Sequence, residues 1–579
     1  MSSALRLATV NDYISKWARL KPDDVVMIQH EDNRSLTYKK FNTLIDFFAL
    51  KLMDMGINKG DRIATQLVLV PEHLVLMYAC FKIGAIIAPL DVRLSAQEVV
   101  RDVNKIGPRA FFFLGRTPVR DFREVGTAVR QGCPAVEFLV QFTPDPKPGD
   151  IIDGAVAITH LMDKKRLLWL KIKDLISGGL KKAYARVDTR TPALIIYTTG
   201  TTGEPKPALL CHENIIVQNQ VLARGFGSDG AGENFICLVN LPPSHVGCVT
   251  ETFMTTMYLG GKAVLLRIFD AKASLEAVER HKVTVMGQIP TMFRMLWNLP
   301  EYTTRDLSSL EFVAYAGSAV DTRFLEKLAT MAPRFGTGLG MTENAGFATF
   351  TPQGISLEEM AGQVGQAFPD LAPVTVRKPM NPDGSAGQEL PDMEVGEICY
   401  HPPIVFLGYF NQPDETRKTV SQEGILYTGD LGYFKQRNGY RALYLSGRKK
   451  FMVKHKGYNV FPGEVEDHIA RMPEVDMVEV IGMKHALFDE AILAFVRLRP
   501  GADLTAEAVL SHCKSIASYK RPLHVEIWPA GREFPLTRST KVDKMKLMAQ
   551  AGEILECLRR EGKWDADSKS TAVVGKACD

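Results

Sequence analysis

Between Arg62 and Leu114 the sequence alternates between short apolar runs and longer runs of helical spacing, and this alternation restricts the possible folds more than any other feature. Residues 62–70, 85–89 and 110–114 predict strands, and residues 71–83 and 96–105 predict the helices between them. Strands joined by crossover helices pair in parallel and bury both sheet faces, so the expected class is α/β. A helix is expected upstream over 36–53, where Phe41, Leu44, Ile45, Phe48 and Leu52 recur at helical spacing before Gly56 and Gly60. Beyond Gly365 short strands and turns at 375–378, 381–384, 396–400 and 408–409 predict a compact β subdomain. From about Met452 a small α+β unit follows, with helices over 462–472 and 506–515, strands over 475–481 and 491–497, and a β-α-β-type order. The expected division is a large unit over 1–449 and a small one over 450–579.

Composition excludes several classes. Seventy Lys and Arg against 66 Asp and Glu leave a net charge of +4, too small to argue for a nucleic-acid partner. Nine cysteines without a CxxC pair or a His/Cys cluster fit reduced thiols rather than a disulfide framework or a zinc site. No uncharged apolar run is long enough to span a bilayer and the first residues carry no signal pattern, so a cytoplasmic protein is expected. Residues 161–183 form a basic amphipathic stretch containing Leu167-Leu168-Trp169-Leu170. The expectation is that its Leu/Trp side packs on the body, with peripheral membrane contact as the alternative.

Candidate chemistry begins where the apolar run 193–196 opens into Tyr197-Thr198-Thr199-Gly200-Thr201-Thr202-Gly203-Glu204-Pro205-Lys206. Gly200 and Gly203 permit positive φ and close backbone approach to an anion. Thr198, Thr199, Thr201 and Thr202 add hydroxyl donors, and Lys206 adds a mobile charge. Pro207 follows the lysine, so this is not a Walker loop with a magnesium hydroxyl and a helix N-terminus. Small-residue turns follow at Gly317-Ser318-Ala319 and Gly338-Leu339-Gly340-Met341, the latter leading into Thr342-Glu343. They suit flat walls for a purine, with Glu343 as a carboxylate for Mg²⁺ beside phosphates. Asp430 in a tight turn and Arg448 after a later strand suit a ribose diol. His245 lies in a Pro/Gly turn, Lys456-Gly457 opens the small unit, and Lys541 lies in its last polar loop. Taken singly, each reads as an ordinary loop or surface charge.

Taken in order over residues 10 to 550, these motifs resemble the adenylate-forming superfamily of acyl-CoA synthetases, adenylation domains and luciferases. The resemblance implies that residues 198–206 hold the β- and γ-phosphates of ATP. It places Gly317, Ser318, Ala319 and residues 338–342 around the adenine and the acid, Thr342 near the α-phosphate, Glu343 on Mg²⁺, and Asp430 and Arg448 on the ribose. Lys541 matches the lysine that contacts the carboxylate and α-phosphate during adenylation. In the family the small domain then rotates, bringing the Lys456-Gly457 segment to a pantetheine tunnel.

Within the superfamily, His245 matches the gate of acyl-CoA synthetases and disfavours an amino acid substrate. The implied activity is an ATP-dependent acid:CoA ligase, with ATP, Mg²⁺ and CoA. A stand-alone enzyme loading a carrier protein and a catalytically silent nucleotide-binding homologue are the alternatives. The candidate acid pocket, Val246, Thr250, Phe253, Ala314, Gly317, Gly340, Gly346 and Phe347, is mainly apolar and lacks a cation for a second carboxylate, which implies a hydrophobic monocarboxylic acid. Four positions depart from the family pattern: Pro207, Leu339, Phe451 beside the hinge residue Lys450, and Thr540. None removes a charge the chemistry needs.

Overall fold

The computed structural model describes residues 8–143, 146–161, 163–198, 204–227, 234–317, 320, 322–456, 458–529, 532–537 and 542–565. The alternation read from the sequence builds two seven-stranded sheets. In the first, the order across the sheet is Ala155–Ala157, Phe138–Phe142, Ala110–Leu114, Arg62–Gln66, Ile86–Pro89, Pro192–Thr198 and Lys206–Cys211. All neighbours are parallel except the last two, which form an antiparallel hairpin. The connection 199–205 is too short for the crossover that a parallel pair requires. The second sheet runs Arg334–Thr337, Phe312–Tyr315, Val285–Gln288, Ile236–Val239, Lys262–Leu265, Val25–Gln29 and Ser35–Thr37, again parallel but for its last pair.

The His212–Gly225 helix is buried along most of its length, including the polar side chains of Asn214, Gln218 and Asn219. It belongs to the largest core cluster, which draws on both sheets. A helix apolar on one side only would present a polar face to water, and this one does not. Two of its amides are instead tied to backbone: Asn214 Nδ2 donates to the carbonyls of Pro403 and Val405, and Asn219 Nδ2 to that of Thr250.

The expected β subdomain is a four-stranded antiparallel sheet of Val374–Arg377, Gly396–Tyr400, Leu426–Arg437 and Tyr440–Arg448. The last sheet pairs Tyr458–Val460, Val453–His455, Asp489–Leu498 and Val475–His485 antiparallel. The predicted β-α-β order appears one strand later than expected. Only residues 486–488 join the two long strands, which therefore form a hairpin, and the parallel partner of Asp489–Leu498 is His524–Trp528, reached through the Ala506–His512 helix.

Three local expectations change. The strand expected over 62–70 ends at Gln66, and the helix after it starts at Pro71, whose fixed φ and missing N–H suit a first turn. Thr250 to Tyr258, which the sequence alone reads as an ordinary helix, falls in a π-helix at Gly247–Met254 continued by α-helix at Thr255–Leu259. There the Thr252 hydroxyl donates to the carbonyls of Gly247 and Cys248, competing with the backbone ladder. Finally, the 161–183 stretch does not bury its Leu/Trp side. On the Lys164–Ser177 helix Leu170 faces the core, while Leu168, Trp169, Ile172, Leu175 and Ile176 face outward.

Candidate active site

The hairpin of the first sheet places Thr198 opposite Lys206, so both ends of the threonine/glycine loop are fixed by strand pairing. Thr199, Gly200, Thr201, Thr202 and Gly203 lie outside the described residues, as do Ser318, Ala319, Gly457 and Lys541. The Lys206 ammonium is 2.5 Å from Glu415 Oε2 and 5.1 Å from the centre of the Tyr409 ring. Lys206 and Lys418 together hold the Glu415 carboxyl down at about 2.

Tyr409 also donates its hydroxyl to Glu343 Oε1 at 2.6 Å. Glu343 stands on the short turn Thr342–Asn344 and is 6% exposed. Its carbonyl accepts from Phe406 N–H, which ties the turn to the chain leading to Tyr409. Burial pushes the Glu343 carboxyl up, and the Tyr409 hydroxyl, Arg448 and Lys206 pull it back. Asp430 and Arg448 are opposite each other on adjacent strands, with Arg448 Nε 2.7 Å from Asp430 Oδ1. Five side chains from separate segments thus share one electrostatic neighbourhood: Lys206, Glu343, Tyr409, Asp430 and Arg448.

The small-residue turns border this neighbourhood. Gly317 has φ of +96°, a backbone conformation that favours glycine. A methyl group at Gly338 would collide with the Thr349 carbonyl, and one at Gly340 with that of Gly346. Leu339 N–H donates to Thr349 Oγ1, and Met341 N–H to Asn344 Oδ1, so the segment is held by side-chain acceptors as well as by strand pairing.

His245 is exposed at the start of the π-helix, and its Nδ1 accepts from Gly247 N–H at 3.3 Å, which leaves the proton of the neutral ring on Nε2. Of the candidate pocket residues, Val246, Ala314 and Phe347 are buried with little surface. Thr250 is fully buried and donates to the carbonyls of Val246 and Ala345. Phe253 is also fully buried, packed edge-on against Phe41 and Tyr78. Lys456 belongs to the last sheet, with its ammonium 4.4 Å over the Phe488 ring.

Two polar residues near Gly346 escape sequence reasoning. A methyl group at Gly346 would lie 2.8 Å from Glu251 Oε1 and 3.1 Å from Gln218 Nε2. The same Glu251 approaches Gly247, where an added methyl would be 3.6 Å from Oε2 and 3.5 Å from His245 Nδ1. Gln218 is fully buried; its Oε1 accepts from Asn219, and its Nε2 has no hydrogen-bond partner among the described residues. Tyr409 meets Glu343, Glu415 meets Lys206, and Gln218 and Glu251 meet Gly346, each across a long stretch of sequence, and no local pattern marks them.

No group of three or more His, Cys, Asp and Glu side chains poised to hold a metal occurs among the described residues. One buried carboxylate, Glu343, within the field of Lys206 does fit Mg²⁺, which keeps most of its shell for water and phosphate oxygens.

The family model for AMP-binding enzymes matches residues 14–410, and that for the AMP-binding enzyme C-terminal domain matches residues 464–541. The human mitochondrial medium-chain acyl-CoA ligase ACSF2 is 27% identical over 560 residues, covering 94% of this chain and 88% of that protein. The putative acyl-CoA synthetase YngI of Bacillus subtilis is 27% identical over 565 residues, covering 94% and 98%. Among solved structures, ATP-bound MatB from Rhodopseudomonas palustris superposes with a TM-score of 0.74 at 24% identity, covering 94% of this chain and 99% of that one. The anthranilate CoA ligase AuaEII in complex with anthranoyl-AMP gives 0.77 at 19% identity, covering 96% and 100%. The motif order read from the sequence is therefore a matter of descent as well as of chemistry, and this chain belongs to the AMP-binding enzymes.

Proposed function

We propose that the protein is an ATP-dependent acyl-CoA synthetase that joins a monocarboxylic acid to CoA through an acyl-adenylate, releasing AMP and pyrophosphate. The observation that carries this reading is the convergence of Lys206 and Arg448 on the buried Glu343 carboxylate, at the mouth of the threonine/glycine loop. The names of ACSF2 and YngI, an acyl-CoA ligase and a putative acyl-CoA synthetase, agree with it.

A carboxylate is a weak nucleophile repelled by a triphosphate, so the site must gather positive charge and hold the acid in line with the α-phosphorus. ATP binds with its terminal phosphates in the loop 198–206. Lys206 leaves Glu415 for the phosphate oxygens, and the Asp430–Arg448 pair receives the ribose hydroxyls. Glu343 carries Mg²⁺, which would neutralise charge on the phosphates. Tyr409 keeps the Glu343 carboxylate oriented by its hydrogen bond. Lys541, by the family pattern, bridges the acid and the α-phosphate. The carboxylate oxygen attacks phosphorus, pyrophosphate leaves, and the resulting mixed anhydride is then open to the CoA thiol, which displaces AMP. His245 gates the acid pocket toward the thiol, and Lys456-Gly457 lines the thiol's path after the small domain turns.

Glu251 narrows the acid. A carboxylate at the pocket wall repels a second carboxylate on the substrate, which supports a monocarboxylic acid. Gln218, fully buried beside Gly346, adds no surface to that wall, so the rest of the candidate pocket is mainly apolar and suits a hydrophobic acid.

The test is pyrophosphate and AMP release with ATP and Mg²⁺ against benzoate-like, alicyclic, short-chain and long-chain acids, each with and without CoA. Acid-dependent AMP together with acyl-CoA is expected. Acyl-adenylate without thioester would point to a carrier-loading enzyme, and turnover with no acid would reject the reading.

A further inference from the structure

The Lys164–Ser177 helix carries an apolar face that nothing among the described residues covers. Leu168, Ile172, Leu175 and Ile176 recur at the spacing of a single helical face, and they are 60%, 50%, 77% and 86% exposed. Trp169 lies beside them at 47%. Exposed large apolar side chains scattered singly are ordinary, but five on one helix make a contiguous patch of the kind soluble monomers seldom leave in water.

The helix is anchored from behind, which fixes the side it presents outward. Leu170 is buried with Leu161 and Leu180 in the main core cluster. Arg166 pairs with Asp54 at 2.7 Å, and the Lys171 ammonium is 5.4 Å from the Phe47 ring centre. A basic rim surrounds the apolar face. Lys165, Arg166, Lys171 and Lys173 lie on this helix, and Lys181 and Lys182 on the next one, Gly179–Tyr184. Arg166 and Lys173 flank the Trp169 ring at 4.4 and 5.1 Å. The nearby carboxylates are engaged by backbone: Asp163 accepts from Lys165 N–H and Asp174 from Leu180 N–H.

We propose that this helix docks the protein on an anionic lipid surface, lying in the plane of the membrane with the Leu168–Ile176 face among the acyl chains and the lysines on the headgroups. No helix among the described residues is long and apolar enough to cross a bilayer, and fourteen residues of helix are too short to do so. An in-plane amphipathic helix needs an apolar face with aromatic and aliphatic residues and a cationic rim, and both are present. The charge also selects against a second copy of the chain, because a symmetric contact through this face would oppose lysine to lysine.

The experiment is co-sedimentation of the full chain with vesicles of phosphatidylcholine alone or rich in phosphatidylglycerol, at low and high salt. Trp169 is followed through quenching by lipids brominated along the acyl chain. The expected result is binding at least about tenfold stronger to the anionic vesicles, weakened by salt, with quenching that disappears in Trp169→Phe. Ile172→Glu with Leu175→Glu is expected to abolish binding, and Lys171→Glu with Lys173→Glu to remove the preference for anionic lipid. Circular dichroism and unfolding midpoints establish that each variant folds. Wild type that binds neither vesicle, or a folded Ile172→Glu/Leu175→Glu variant that binds as wild type does, would overturn the proposal. So would concentration-dependent self-association lost in that variant, since it would assign the face to a second copy.

Discussion

Burial works against the charged form of Glu343. Desolvation raises its carboxyl above the ordinary value, while the Tyr409 hydroxyl, Arg448 and Lys206 offset only part of this. A carboxyl raised by folding contributes stability that is fully present below its unfolded pKa and lost as pH rises through the folded one, so at neutral pH the charge is a net cost. Glu343→Gln keeps an oxygen for Tyr409 and removes that cost. The expected outcome is an unfolding midpoint about 1–3 °C higher at neutral pH, a difference that closes on acidification, with acid-dependent pyrophosphate release reduced about a hundredfold. A lower midpoint would mean that the carboxylate stabilises the apo protein after all. The same scale holds the selectivity prediction. With wild type, a monocarboxylic acid should exceed its analogue carrying a second, distal carboxylate in kcat/KM by about tenfold or more, and Glu251→Gln should narrow that preference; equal rates in wild type would remove Glu251 from the acid pocket. Lys206, Glu343, Asp430 and Arg448 were legible in the sequence because adenylation needs charges in a fixed order. Tyr409 and Glu251 were not, since their meaning lies in which residues the fold brings to them.

At the scale of elements, the strand ends decide what a glycine does. Gly338 and Gly340 follow the Arg334–Thr337 strand and run against the backbone of 346–349, which cannot move aside as a flexible side chain can. Gly338→Ala is therefore expected to lower the unfolding midpoint by several degrees, an overpacking cost of about 1–3 kcal/mol. Gly463, in the Pro462–Ile469 helix with open space where a Cβ would be, is the contrast. Gly463→Ala should be neutral or stabilising by up to about 1 kcal/mol, and equal destabilisation by both would refute the collision argument. The sequence announced these turns as small-residue clusters, and the strand–helix alternation over 62–114 announced the parallel part of the first sheet, though not that a second large sheet would form beside it. What it could not announce was pairing. Whether 192–198 and 206–211 pair as a hairpin depends on connection length, and which side of the 164–177 helix faces inward depends on a neighbour such as Asp54, more than a hundred residues away.

At the scale of the molecule, the polypeptide passes from the antiparallel sheet to the last one through Arg448, Lys449 and Lys450. Arg448 is held by Asp430, and Lys449 Nζ is 2.8 Å from Glu397 Oε2, so the first two of these residues are fastened to the large unit. Lys450 feels burial, which lowers its pKa, and the opposing field of Asp543, which belongs to the far end of the small unit. Lys450 is also the position that the family resemblance makes the hinge. If the small domain serves two half-reactions by turning about this point, the residues it carries must separate by step. Lys541→Ala should lose adenylation, measured as acid-dependent pyrophosphate release, by about a hundredfold or more, yet retain most thioester formation from supplied acyl-adenylate and CoA. Gly457→Leu should do the reverse, sparing pyrophosphate release and blocking the thiol. Because a misfolded small domain would lose both activities in both variants, opposite losses can arise only from two working orientations, and parallel losses would confine the chemistry to one.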